Sequence, residues 1–575
     1  MAKAPVELLP RGPRGRAVAI DGSIALFQLR AMGTGRIWLL GVSALGIWFL
    51  SVHGSGRPAV RPADAPATEF SAVRADAILA RLLGPELPRS SGSPEAAAFR
   101  ARLQAELAQL GIPHQAITQE SCRSRRNGQR VCLPVTNIRA VLVPGENPEV
   151  LLMAHTDSVP RGPGAADDAS GVATILETMR ALKARGLSGR RPLAALFTDG
   201  EERGLFGAYA YAGDAANRAR TGVVVNVEAR GNQGPSLLFQ THVGDAPLID
   251  LYARAAPHPA TSSLYAEIYK ILPNNTDLTP FLEAGIAGAN FAFIGNARQY
   301  HTIQDRRENI SPVTLQHHGE NVLALTDALS RTDPATLKGG GAIYLDILGR
   351  WLPRLPASWA LPLSVLAFVG IAVAGWYTPR ERRLPQLPVL AALTPLFLLL
   401  LCVGVGFGLH MLAGLIGGSA NPSLENPLWL RLALAFGVWA AALMTARWAG
   451  AIACWLWFAG LAVGSAIFLP GLTPYFLFPA LVAAPLLLLT VRGGRGTALF
   501  ASALTALVIW LGFNGGSEAI MGLAMHPIFT VTAGFALLSL LPLMAGRRLG
   551  GSALASLAVA LVFAVVAGFQ VNLID

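Results

Sequence analysis

Two different spacings of apolar residues divide this chain. Between residues 76 and 333, short apolar runs alternate with polar, glycine-bearing stretches. The runs at 137–143, 149–156, 192–198, 222–228, 236–240 and 288–294 read as strands. Helical spacing fills 169–185, 204–213, 245–256 and 312–330, with a further helical stretch over 76–110. Such alternation predicts an α/β domain with a central, mostly parallel sheet and helices on both faces. In sheets of that kind, chemistry collects at the carboxyl ends of the strands.

From residue 358 onward the pattern changes. Asp, Glu and Lys nearly vanish, and the apolar runs approach the roughly 20 residues that cross a bilayer. Spans are expected near 358–377, 387–412, 428–446, 450–469, 473–491, 497–513, 519–545 and 552–573, making an all-α polytopic transmembrane domain of about eight helices. One more apolar run, within 37–53, reads as an uncleaved N-terminal anchor behind a basic tail, 1–36. Residues 54–75 and 334–357 then read as linkers.

The net charge of +11 follows the membrane pattern. Arginines cluster before the first span and after every second one: Arg380, Arg382 and Arg383, then Arg447, then Arg492 and Arg495, then Arg547 and Arg548. The opposite loops "GGSANPSLENP" and "NGGSEA" carry neither Lys nor Arg. The positive-inside rule therefore puts the basic tail in the cytoplasm and the α/β domain on the non-cytoplasmic side. Charge placed by topology argues against a nucleic-acid partner; the lipid bilayer is the expected one. Cys122 and Cys132, in the polar stretch "SCRSRRNGQRVC", are candidates for a disulfide in an oxidising compartment. Cys402 and Cys454 lie in apolar spans and read as packing residues.

Five polar stretches follow the apolar strands: "HTD" at 155–157, "DDASG" at 167–171, "TDGEERGLFGA" at 198–208, "NVEARG" at 226–231 and "YHTIQD" at 300–305. Histidine and carboxylate side chains are zinc ligands, and two closely spaced metals need a bridging carboxylate. His155, His301, Glu202, Glu228 and one aspartate of the 167/168 pair supply such a set. Glu201 is left over as a general base, and Asp157 is positioned to accept the second N–H of the His155 ring.

In this order the stretches resemble the co-catalytic di-zinc exopeptidases of the aminopeptidase Y and aminopeptidase S type, relatives of glutamate carboxypeptidase. The likeness covers residues 76–333, with Arg203 and Gly204 after Glu202 filling the family's x-Gly. The overall layout is similar to the membrane branch that contains endoplasmic reticulum metallopeptidase and vacuolar membrane protease. The resemblance implies a zinc-exopeptidase fold, two zinc ions per chain and peptide substrates. It assigns His155 and Glu228 to one zinc, Glu202 and His301 to the other, Asp167 to the bridge and Glu201 to general base catalysis. Tyr300 would donate to the oxyanion. Position 228 is Glu where the simplest aminopeptidases have Asp.

Asp277 is expected either to meet a substrate amine or to cap a helix at 278–284, and Arg230 to contact a substrate carboxylate or stand in solvent. Asp168 is expected to cap the helix beginning near Ala169. His242, His258, His317 and His318 are expected at the surface or behind the ligands, and His410 and His526 inside membrane spans. The favoured reading is a membrane-bound zinc aminopeptidase. The alternatives are a catalytically silent receptor or scaffold, and a carboxypeptidase-type exopeptidase coupled to a transporter-like membrane half.

Overall fold

The computed structural model describes residues 40–47, 49, 57–124, 128–272, 274–378, 388–418, 422, 427–491 and 493–569. The basic tail, most of the first span's flanks, Arg380, Arg382, Arg383, Arg492 and the C-terminal "NLID" lie outside the described residues.

A seven-stranded sheet organises the α/β part: β1 (His114–Ser124), β2 (Arg130–Val143), β3 (Glu149–His155), β4 (Leu193–Thr198), β5 (Thr221–Ala229), β6 (Gln233–Thr241) and β7 (Ala287–Gly295). Their order is β1-β2-β4-β3-β5-β7-β6. The four central strands, β4, β3, β5 and β7, run parallel, and the edges are antiparallel. Every residue of β3 and of β4 is buried, which explains their unbroken apolar character: a parallel strand is covered on both faces. Helices Ala72–Leu83, Gly171–Arg185 and Pro312–Leu329 bury apolar side chains in one main core with Phe70, Leu152 and Phe291. A smaller core, around Leu151, Met153 and Phe281, covers the other face. Ser71 and Ser311 cap two of these helices through their side-chain oxygens, and Pro312 opens the second.

Two stretches expected to be linkers are structured parts of the domain. Arg61 pairs with Glu320, and Phe70 is buried, so residues 57–71 strap the helical face. Residues Ala342–Tyr344 and Arg354–Pro356 form a small antiparallel ribbon; its Ile343, and Leu345 just after the first strand, join the apolar core of the membrane half.

Among the described residues, seven helices are long and apolar enough to cross a membrane: Ala357–Trp376, Val389–Gly417, Pro427–Trp448, Ala451–Phe468, Pro470–Leu489, Arg495–Glu518 and Gly550–Phe569. The span expected at 519–545 differs. The preceding helix runs on to Met521, and a shorter apolar stretch, Leu523–Leu538, comes after the turn at Gly522. The polar run "NGGSEA" stays helical because Asn514 donates to the Phe529 carbonyl at 2.7 Å and Glu518 pairs with Arg431. His410 and His526 stack ring on ring, with centroids 4.1 Å apart. The described part of the first apolar run packs Gly41 against Trp439.

Candidate metal centre

The candidate ligands stand at the carboxyl ends of the central parallel strands. His155 is the last residue of β3, Glu201 and Glu202 sit in the turn after β4, Glu228 is the last but one residue of β5, and His301 comes after β7. Asp167 arrives on an irregular turn before the Gly171–Arg185 helix. Its neighbour Asp168 is fully buried and accepts from the backbone N–H groups of Gly171 and His155, each at 3.1 Å. This explains the glycine of "DDASG": a Cβ on Gly171 would lie 2.2 Å from the Asp168 carboxylate. Asp168 therefore caps the helix and ties it to the end of β3.

Asp167 lies between two groups of ligands. Its Oδ1 is 3.1 Å from His155 Nε2, and its Oδ2 is 3.1 Å from His301 Nε2. On the first side, Glu228 Oε2 lies 3.7 Å from His155 Nε2. On the second, Glu202 Oε2 lies 3.1 Å from His301 Nε2. Ligands about 2.0–2.1 Å from a tetrahedral zinc stand about 3.3 Å from one another, so both spacings fit. The buried Glu202 Oε1 has no hydrogen-bond partner, as expected of an oxygen that answers to a cation. The donor set thus fits zinc, with Asp167 standing between the two groups of ligands.

The electrostatics point the same way. Burial, then the nearby Asp167 and Asp277 carboxylates, outweigh the attraction of His155 and push Glu228 up to about 8. Burial and Asp167 push Glu202 to about 7. Burial raises Glu201 well above the usual range, reinforced by Glu228, Asp277 and Glu202 and opposed by His155. Burial alone would lower His301, but Asp167 and Glu202 override it and raise it to about 9. So many buried carboxylates repel one another unless cations lie among them.

Asp157 stands beside His155, as expected, and has a second task. The His155 Nδ1 meets the backbone carbonyl of Asp157 at 3.0 Å, whereas the Asp157 carboxylate stands 3.6 Å away. That carboxylate accepts from the backbone N–H groups of Glu201 and Glu202, at 3.1 and 3.3 Å. It is fully buried and fixes the turn that carries both glutamates. Asp277 departs from expectation. It is buried, accepts from the Thr198 hydroxyl at the end of β4, and neither lines the cavity nor caps the Thr279–Glu283 helix. Its side chain turns inward because β4 offers that hydroxyl.

Glu201, Arg230 and Tyr300 all line the cavity over the ligands. Tyr300 stacks on His301 with ring centroids 3.6 Å apart. The exposed Arg230 guanidinium lies 5.5 Å from the Tyr300 ring centroid. Cys122 and Cys132 are register partners across β1 and β2 and are joined by a disulfide. His317 and His318 are core residues rather than surface ones: the Ser236 N–H donates to His317 Nδ1 at 3.1 Å, and His318 Nδ1 meets the Ser236 hydroxyl at 2.6 Å.

Two residues that sequence reasoning passed over hold the centre in place. Asp305 accepts from the N–H groups of Ala166 and Asp167, at 2.7 and 3.2 Å, and so sets the bridging aspartate. It closes the stretch "YHTIQD", which was the available signal. Arg89, fully enclosed, donates to the carbonyls of Thr156 and Gly164, each at 2.8 Å, and nothing near it in sequence marks that role.

A central parallel sheet carrying a cluster of histidines and carboxylates at its carboxyl edge defines a metallohydrolase-like α/β domain. Residues 137–326 match the model of peptidase family M28, and the chain carries an M28 domain. Its relatives include the human "Endoplasmic reticulum metallopeptidase 1", 29% identical over 248 residues, which are 42% of this chain and 27% of that protein. The "Vacuolar membrane protease" of Yarrowia lipolytica is 31% identical over 233 residues, 40% of this chain and 23% of its own length. The matches thus span about a quarter of these relatives' length. Among solved structures, a Porphyromonas gingivalis glutaminyl cyclase is 23% identical, with a TM-score of 0.38, covering 45% of this chain and 99% of that one. The zinc aminopeptidase BSAP from Bacillus subtilis is 16% identical, with a TM-score of 0.37, covering 48% and 99%.

Proposed function

We propose that the protein is a membrane-embedded zinc exopeptidase, an aminopeptidase, that holds two zinc ions and acts on peptides on the non-cytoplasmic side. The observation that carries this reading is Asp167, with one carboxylate oxygen toward His155 and Glu228 and the other toward His301 and Glu202. Zinc ions bound there supply Lewis-acid polarisation of the scissile carbonyl and lower the pKa of water. The chain's own groups do the rest. Glu201 takes the proton of the attacking water and delivers it to the departing amine nitrogen. Tyr300 keeps its proton, because burial and the surrounding carboxylates raise its pKa, and donates to the oxyanion that develops on the carbonyl oxygen. Asp157 and Asp305 position the Glu201–Glu202 turn and Asp167. The excess of carboxylates around the centre suits a substrate whose cleaved end carries a free ammonium. Arg230, exposed above Tyr300, favours the second reading, in which the recognised end is a carboxylate.

The orientation has structural support. The 18-residue helix Ala451–Phe468 spans about 27 Å. Arg447 precedes it, and Gly471 beyond its far end touches Ser263 of the α/β part. The Gly546 N–H donates to the Ala446 carbonyl at 3.1 Å, which brings Arg547 and Arg548 to the same end as Arg447. Arg447, Arg547 and Arg548 thus stand together at the helix end away from the metal centre, which supports a non-cytoplasmic peptidase, while Arg431 pairs with Glu518 at the other end.

The deciding experiment is Glu201→Ala in the full-length, zinc-loaded protein. Turnover of a peptide library should fall by about 10²–10⁴ while both zinc ions stay bound. Product termini read by mass spectrometry give the end that is attacked. Wild-type turnover in this variant would refute the mechanism.

A further inference from the structure

The cavity over the metal ligands is not closed by the α/β part alone. Its volume is about 1550 Å³, above the roughly 300–1,000 Å³ of a small-molecule site. Asp167, Glu201 and Glu228 line it on one side, and Arg431, Phe513, Met521 and Leu523 line it from the membrane half. Arg431 stands near the start of Pro427–Thr445, and the other three in the last three turns of Arg495–Met521 or just past its end. The two helix ends are clamped together, because Arg431 Nε donates to Glu518 Oε1 at 2.7 Å and Glu518 is 8% exposed.

The helix Ser263–Ile271 sets the distance between this wall and the chemistry. At its start, Ser263 Oγ donates to the Gly471 carbonyl at 3.0 Å, and the Tyr475 hydroxyl donates to Ser262 Oγ at 2.9 Å. Tyr265 stacks on Phe513, with centroids 6.2 Å apart. One turn further on, Tyr269 lines the same cavity, and the carboxylates of Glu228 and Glu201 act electrostatically on its hydroxyl. One helical turn rises about 5.4 Å. An extended peptide advances about 3.3 Å per residue. One helical turn thus matches about 1.6 residues of extended peptide, so the membrane-half wall is met by side chains beyond the terminal residue. Leu237, Phe239 and Ile294 line the cavity from the α/β side, so apolar side chains face it from both parts of the chain, beside the Arg431–Glu518 pair.

We propose that the membrane half is part of the substrate site: Phe513, Met521 and Leu523 hold the retained portion of the peptide and select apolar residues next to the cleaved end. This rests on reading the metal centre as a peptidase, but it makes its own demand. A soluble peptidase domain would read the terminal residue, whereas this protein also reads the residues behind it, on the side where apolar chains leave a bilayer.

The test uses the full-length, zinc-loaded protein carrying Glu201→Gln, in nanodiscs with empty discs as reference. Binding of Ala-Leu-Leu-Leu-Leu-Ala and Ala-Glu-Glu-Glu-Glu-Ala is measured by calorimetry, so either end can be the one recognised. The leucine peptide should bind at least ten-fold tighter. Met521 is the last residue of its helix and lines the cavity, so a lysine there can carry its ammonium to polar surroundings. Met521→Lys should weaken the leucine peptide and tighten the glutamate one, moving their ratio at least ten-fold; a gain in affinity cannot come from misfolding. Phe513→Ala should lower the leucine preference. Equal binding of the two peptides, tighter binding of the glutamate peptide, or a ratio unmoved in both variants would overturn the proposal. Turnover with Glu201 intact separates the two ideas. Hydrolysis with an unmoved ratio defeats this inference alone. Preference without hydrolysis defeats the peptidase reading alone.

Discussion

Asp167 presents one carboxylate oxygen to His155 and the other to His301, each at 3.1 Å, so a single side chain joins two ligand groups drawn from different strand ends. Asp167→Asn keeps the shape and removes the shared charge. Metal analysis of the purified protein should show zinc falling from two per chain to one or less, with hydrolysis lost. Two retained zinc ions would remove Asp167 from the bridge.

Asp157 tests position rather than binding. Its carboxylate holds the N–H groups of Glu201 and Glu202, with His155 Nδ1 3.6 Å away. Asp157→Ala should lower kcat about 10–100-fold, the usual effect of losing a supporting partner, while zinc content stays at the parental level. Loss of zinc in step with activity would mean that the carboxylate acts on the metals directly.

His318 gives the fold a dependence on acidity. Burial holds it neutral, with its pKa pushed down to about 3. The unfolded chain takes up that proton below about 6.5, so between those values the unfolded state binds more protons. Stability is therefore full above pH 6.5 and is lost as pH falls toward 3, by up to about 1.4 kcal/mol per pH unit for this one group. His318→Asn can still meet the Ser236 hydroxyl but does not titrate. The fall in Tm between pH 7 and pH 5 should be smaller in this variant than in the parent. An equal fall in both would assign acid sensitivity elsewhere.

The Cys122–Cys132 bridge reports the compartment. In membranes extracted under a thiol-blocking reagent, both cysteines should resist alkylation until reduced, as expected of a domain outside the cytoplasm. A reporter active only outside the cytoplasm should work when inserted near Pro66 and fail beside Arg382. Free thiols together with the reverse reporter pattern would place the metal centre in the cytoplasm.

The sheet and the gathering of histidines and carboxylates at its carboxyl edge were legible because each rests on local rules. β3 reads as a buried strand from four consecutive apolar residues, Val150 to Met153, and "HTD" and "DDASG" carry their chemistry in a few adjacent positions. The features that were not legible depend on contacts across long stretches of chain. Asp277 turns inward because of Thr198, and Asp305 reaches back to Ala166. The 334–357 segment looks like a linker by composition, yet its Ile343 and Leu345 find partners only once the membrane helices are in place. The helix ending at Met521 persists past "NGGSEA" because Arg431, far away in sequence, receives Glu518.

Leu264, Ile343 and Leu345 share one apolar core with Tyr475, Phe476 and Trp510. The extramembrane and intramembrane parts are therefore thermodynamically linked rather than two folding units joined by a tether. Whatever binds the native metal centre draws the whole equilibrium toward the folded state, by about 2.7 kcal/mol at a ligand concentration one hundred times its Kd. Chelating zinc should thus lower the melting temperature of helices that never touch the ion, and both parts should melt in one transition.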